Sequence, residues 1–128
     1  MKVQDRFRLA LAALSGLIGV AAGAFGAHGA ADPLAKALLR TGVEYQMIHA
    51  LAVFACFSAQ RAGARGACAA GWFFLAGGLL FPGSLYILAL TRQVWAGPIT
   101  PIGGLMFLIG WAVLAWSILR GPAAERDA

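Results

Sequence analysis

Within six positions, Glu44, Tyr45, Gln46 and His49 bring together a carboxyl, a phenol, an amide and an imidazole. Such a set could relay a proton, bind a small polar solute or headgroup, or hold helices together by hydrogen bonds. The group opens an apolar run that continues to Ala59. An ionisable side chain in such a run is a functional-site candidate that needs a partner. On a helix, Tyr45 and His49 stand at i, i+4 and Gln46 and His49 at i, i+3, so these three can share one face. Glu44 lies five residues from His49, about 140° round, and does not have to share it.

The composition says what surrounds these residues. Of 128 residues, 61% are hydrophobic and 12% charged, against about 45–50% apolar and about 25% charged in ordinary soluble domains. This is a membrane composition, expected as a single domain over residues 1–128. Ten basic residues against five acidic give a net charge of +5. The basic residues cluster at the ends of apolar runs, the pattern that orients membrane proteins. They form no basic stripe along a helix face, so no nucleic-acid partner is implied. Cys56 and Cys68 belong to no CxxC pair and have no His at ligand spacing, which implies neither a metal site nor a disulfide framework.

The predicted fold class is all-α, an integral membrane bundle of four transmembrane helices at about 9–27, 43–59, 67–90 and 102–119. The first is read as a retained helix rather than a cleaved signal. Its Ser15, Gly19 and Gly23 repeat at the small-xxx-small spacing that lets helices approach closely. Asp32-Pro33 reads as an N-cap followed by Pro at the first helical position. A short interfacial helix, about 33–40, is expected to follow, with Lys36 and Arg40 on one face and Leu34 and Leu38 on another. In the third run, Pro82 frees the carbonyl of Gly78, and Ser84 is the nearest donor. Thr100 reads as the N-cap of the fourth helix, with Pro101 opening it, and the tail from Arg120 as disordered.

Lys2, Arg6, Arg8, Arg61, Arg65, Arg120 and Arg126 fall on one side of this plan, and Lys36, Arg40 and Arg92 on the other. Seven against three predicts both termini in the cytoplasm. His28 then closes the first helix on the outer side, where the second begins. His49 lies about 10 Å deeper than Gly42. Ser84 and Tyr86 lie in the outer part of the third helix, and Thr100 starts the fourth. A polar pocket of His28, Glu44, Tyr45, Gln46, His49, Ser84, Tyr86 and Thr100 is the predicted candidate site, set in the outer leaflet.

The words Gly23-Ala-Phe-Gly-Ala-His-Gly29, Thr41-Gly-Val-Glu-Tyr-Gln-Met-Ile-His-Ala-Leu51, Phe81-Pro-Gly-Ser-Leu-Tyr86 and Gly97-Pro-Ile-Thr-Pro-Ile-Gly-Gly104 run through nearly the whole chain. With them the chain resembles a family of small bacterial membrane proteins, domain of unknown function 423, whose eukaryotic relatives are called transmembrane protein 256. It departs from that pattern at Glu44, where the family usually has Gln, at Ile48, usually Tyr, and at Pro82, usually Ser. The resemblance implies a multi-pass inner-membrane protein and supplies no activity, substrate or cofactor.

Two roles fit these residues. One is a structural or accessory bundle whose polar groups bind helices to one another, surrounded by lipid and able to meet a second copy or a membrane-protein partner through its Gly-rich helices. The other is binding or transport of a small solute, proton or lipid headgroup in the outer pocket, with His28 and His49 as titrating groups. A haem between the two histidines is a sharper variant, and hydrolysis lacks a base beside Ser84. The sequence supports no enzyme and no cofactor over these.

Overall fold

The computed structural model describes residues 1–122. The expectation for the rest of the tail, and the place of Arg126 in the charge count, lie outside them. Four α-helices follow one another: α1 Val3–His28, α2 Pro33–Arg61, α3 Ala67–Thr91 and α4 Ile99–Arg120, with a 3-10 turn at Val94–Ala96 before the last. Among the described residues the chain is all-helical. Three helices are long and apolar enough to cross a membrane: α1, α3, and α4 taken together with its preceding turn.

The separate interfacial helix does not form. Residues 33–40 and the run from 43 to 59 belong to one continuous helix of 29 residues. Asp32 starts it as expected, its side chain accepting from Leu34 N–H at 3.2 Å ahead of Pro33. Gly42 does not end it, because the glycine serves a close approach: a Cβ there would stand 2.6 Å from the Tyr86 ring. The buried residues Ala35, Leu39, Gly42, Gln46, His49, Val53 and Cys56 recur at alternating spacings of four and three. One packed stripe therefore runs through both segments and sustains the helix. Gln46, the 14th of the 29 residues, thus lies at mid-height instead of near one mouth.

The same alternation recurs in α4, where Gly103, Phe107, Gly110, Leu114 and Ser117 are buried. It is the spacing of left-handed, slightly tilted helix packing. Phenylalanine and glycine interlock across α3 and α4. A Cβ on Gly77 would meet the Phe107 ring at 2.5 Å, one on Gly110 would meet the Phe74 ring at 2.6 Å, and one on Gly103 would run into the backbone of Phe81. On α1, Gly19, Gly23 and Gly26 face Met47, Val43 and Leu39 of α2. The small-residue seam expected on the first helix is therefore its α2 face.

α1 packs on α2, α2 on α3 and α3 on α4, while α1 and α4 do not meet. Among the described residues the four helices are arranged as an open layer with α2 and α3 at its centre. α1 and α3 start from the same end. There, Arg8 Nη1 donates to the Cys68 carbonyl at 2.9 Å and Phe7 lies 6.5 Å from Trp72 between ring centroids. At the opposite end an Asp32–Arg92 ion pair joins the α1–α2 loop to the α3–α4 loop.

Candidate functional site

Gln46 is 4% exposed and joins three helices. Its Nε2 donates to the backbone carbonyl of Ser15 at 3.0 Å and to the Ser15 hydroxyl at 3.2 Å, both on α1. Its Oε1 accepts from the Tyr86 hydroxyl of α3 at 2.6 Å. Because a carbonyl can only accept, Nε2 must face Ser15, and the amide has one orientation. Ser15 is the 13th of the 26 residues of α1, so this bridge sits at the middle of that helix too.

One turn on, His49 joins α2 to α4. Trp111 Nε1 donates to His49 Nε2 at 3.1 Å, and His49 Nδ1 lies 2.6 Å from the Tyr45 carbonyl. An indole N–H only donates and a carbonyl only accepts, so Nε2 is bare and Nδ1 carries the hydrogen. His49 is a neutral imidazole in a single tautomer with both nitrogens engaged. Its ring lies flat on Phe107, with centroids 3.5 Å apart and planes 8° apart, and the Tyr45 ring lies tilted against Phe81, centroids 4.5 Å apart.

Ser84 and Thr100 make a third link, between α3 and α4, with their hydroxyl oxygens 2.6 Å apart. Ser84 donates its one hydrogen to the Phe81 carbonyl at 2.9 Å, so Thr100 is the donor in the pair. Two expectations change with this. Ser84 serves Phe81 and Thr100 rather than the Gly78 carbonyl freed by Pro82. Thr100 is the second residue of α4, whose N-cap is Pro98, and it spends its hydroxyl on α3.

The predicted outer pocket is therefore not assembled. Gln46 with Tyr86, Tyr45 with His49, and Ser84 with Thr100 are brought together as pairs, with Gln46, His49 and Ser84 buried and the Tyr45 ring exposed. His28 and Glu44 stay apart from these pairs. His28 ends α1, exposed, 13 residues beyond Ser15 and thus ~20 Å along the helix. The two histidines cannot ligate one haem from those places. Glu44 is exposed and pairs with Arg40 at 3.3 Å. The pocket was placed at one mouth because α2 was expected to begin at 43, and the continuous helix moves Gln46 and His49 to the centre.

Two grooves flank the seam. One of about 380 Å³ lies between α1 and α3, with Gln46 and His49 at its base and Leu14, Ile18 and Leu79 at its lips. The other, about 700 Å³, lies between α2 and α4 and is lined by Tyr45, His49, Phe81 and Trp111, with Ile48 and Leu108 at its lips. These lip residues are exposed hydrophobics, so both grooves open sideways. Neither is lined by His28 or Tyr86.

Sequence reasoning missed four participants. Ser15 counted only as a small packing residue, although it is the one hydroxyl in that seam. Trp111 was passed over, yet a Trp deep in an apolar run, away from the interfacial belt, needs an acceptor for its N–H. Arg8, counted only among the flanking charges, and Asp5, not singled out, are 4% and 8% exposed and form an ion pair at the base of α1. Their i, i+3 spacing was the available signal.

A chain with three apolar, membrane-length helices whose polar side chains bond helix to helix is a small multi-pass membrane protein. Residues 22–104 match the family described as "Protein of unknown function (DUF423)", and the chain belongs to that family. It is similar to the UPF0382 membrane protein of Haemophilus influenzae, 49% identical over 121 residues that cover 90% of this chain and 95% of the relative. It is also similar to the UPF0382 inner membrane protein YgdD of Escherichia coli (strain K12), 42% identical over 126 residues, covering 91% and 92%. The UPF0382 membrane protein YwdK of Bacillus subtilis (strain 168) is 41% identical over 115 residues, covering 86% and 94%. No solved structure matches the chain. These relatives carry no activity in their names, in keeping with a membrane protein of uncharacterised function.

Proposed function

We propose that the chain is a non-catalytic accessory protein that crosses the bacterial inner membrane four times with both termini in the cytoplasm. The observation that carries this reading is the saturation of its mid-height polar groups. Both nitrogens of His49, and the donor and acceptor ends of Gln46, are engaged by neighbouring helices or the helix itself. Groups so engaged are poorly placed to hand a proton or a solute along a path.

Support for a fourth crossing comes from connectivity. α1 and α3 begin at the same end and each is long and apolar enough to span, so the chain has to recross through α2. Covered by α1 on one flank and α3 on the other, α2 tolerates Gln46 and His49, because its neighbours satisfy them away from lipid. Lys2, Arg6, Arg61, Arg65 and Arg120 gather at one end and Lys36, Arg40 and Arg92 at the other, which favours the first end in the cytoplasm. The similarity to a protein named an inner membrane protein supports the location. Exposed Leu14, Leu17 and Val20 of α1 and Leu105, Leu108 and Leu119 of α4 leave both outer helices open to lipid, a second copy or a membrane-protein partner.

The test is flux. Proteoliposomes carrying the protein should leak protons and potassium no faster than protein-free vesicles. A flux that His49→Ala or Gln46→Ala alters would overturn the reading in favour of transport.

A further inference from the structure

Beside the contact of α1 with α2 runs a groove of about 340 Å³, near the end of the layer marked by His28 and Pro33. Its floor is Gly23 and Gly26, its walls are Leu39 and Val43, and Lys36 and Arg40 stand over it. Lys36 and Arg40 are one helical turn apart, with Cβ atoms about 5–6 Å from each other, so a single phosphate can reach both. Lys36 is the fourth residue of α2 and Arg40 the eighth. Lys36 stands at the open end of the groove, the apolar walls Leu39 and Val43 lie about one and two turns further along α2, and Arg40 stands between them.

We propose that this groove holds one anionic phospholipid, its phosphate between Lys36 and Arg40 and the upper part of an acyl chain lying on Gly23 and Gly26. Charge and depth select the occupant. Two cations along the upper part of an apolar slot complement a group that is anionic at one end and aliphatic at the other. A soluble anion would leave the slot empty, and a zwitterionic lipid would bring its own cation against Lys36. Glu44, also on the groove, pairs with Arg40 at 3.3 Å while the Arg40 side chain remains 83% exposed. The carboxylate is a counter-ion in the place the lipid phosphate would take, so it opposes binding. The inference needs only that α1 and α2 lie in a bilayer, and it stands or falls separately from the accessory role.

Native mass spectrometry of the full chain, delipidated in detergent and offered equimolar phosphatidylglycerol and phosphatidylethanolamine, tests the proposal. Phosphatidylglycerol should be retained preferentially. Lys36→Gln and Arg40→Gln should each weaken its binding about five-fold, and together about thirty-fold, as each basic residue near an anionic headgroup contributes about a factor of five. Ala22→Leu with Ala27→Leu, which narrows the groove and leaves both cations, should also abolish retention. Glu44→Gln should tighten binding, a gain that a misfolded protein cannot show. Equal retention of the two lipids, or unchanged binding by Lys36→Gln/Arg40→Gln, would overturn the proposal. So would displacement by inorganic phosphate at matched concentration, which would mark a soluble-anion site. Full binding by the narrowed variant would leave only a charged surface.

Discussion

Replacing Gln46 with Leu removes the bridge that ties α1, α2 and α3 together at mid-height. Three hydrogen bonds go: two to Ser15 and one from Tyr86. Interhelical hydrogen bonds in membranes average about 0.6 kcal/mol each, with a ceiling of about 1.7 kcal/mol. The direct loss is therefore about 2 kcal/mol. The Tyr86 hydroxyl is then left beside an apolar neighbour, and a stranded buried donor adds about 1 kcal/mol. A destabilisation of about 3 kcal/mol is expected. Tyr86→Phe removes a single bond and leaves one free lone pair on Gln46, so it should cost about 1 kcal/mol. In the double variant the stranded hydroxyl is gone, and the total should fall short of the sum of the singles by about 1–2 kcal/mol. Equilibrium unfolding of the four proteins in mixed detergent micelles measures that coupling. Additive single and double variants, or a Gln46→Leu protein as stable as the parent, would refute the argument that the amide is structural glue.

Other outcomes follow from individual contacts. Gly103→Ala, whose Cβ would run into the Phe81 backbone, should destabilise by about 3 kcal/mol, whereas Gly104→Ala, with its nearest neighbour 3.8 Å away, should be neutral within about 0.5 kcal/mol in the same unfolding assay. The nitrogen-15 spectrum of His49 should show a protonated Nδ1 and a hydrogen-bonded, bare Nε2, and Trp111→Phe should shift the Nε2 signal and cost about 1 kcal/mol. Asp5→Ala should destabilise by about 3–5 kcal/mol by leaving the buried Arg8 guanidinium unpaired. Replacing both members of that pair by apolar residues should cost much less, and thermal unfolding separates the two cases.

Much of the fold was readable because apolar length and turn chemistry are local. Asp32-Pro33 predicted a helix start that the structure makes the start of the long α2 rather than of a short separate helix, and the ends of α3 and α4 fell within three residues of the expected runs 67–90 and 102–119. The break expected between 40 and 43 does not occur, and Gly42 lies inside the continuous helix. The glycine's physical role, making room for the Tyr86 ring from another helix, is non-local and leaves no trace at short range. The spacing from Ala35 to Cys56 did carry the continuity of α2, but the amphipathic signal of Lys36 and Arg40 competed with it.

For the candidate site, helical angles left Glu44 free to face away from His49, yet it stayed in the predicted pocket, and the structure pairs it with Arg40 outside. Helical angles could not name partners on other helices. Ser15 and Trp111 lie 31 and 62 residues from the groups they bind, and both were read by type alone. Once α2 was shortened, depth was misjudged with it, which turned a central seam into an outer pocket.

The central claim is that the seam around Gln46 is shut to water inside the membrane. Reaction of Ser15→Cys with a membrane-impermeant thiol reagent, in a protein with Cys56 and Cys68 replaced, tests it most directly, with Lys36→Cys as the exposed control. The account predicts rapid labelling at position 36 and none at position 15 from either side of the membrane. Labelling at position 15 from one side would reveal a water-filled path to the seam and contradict it.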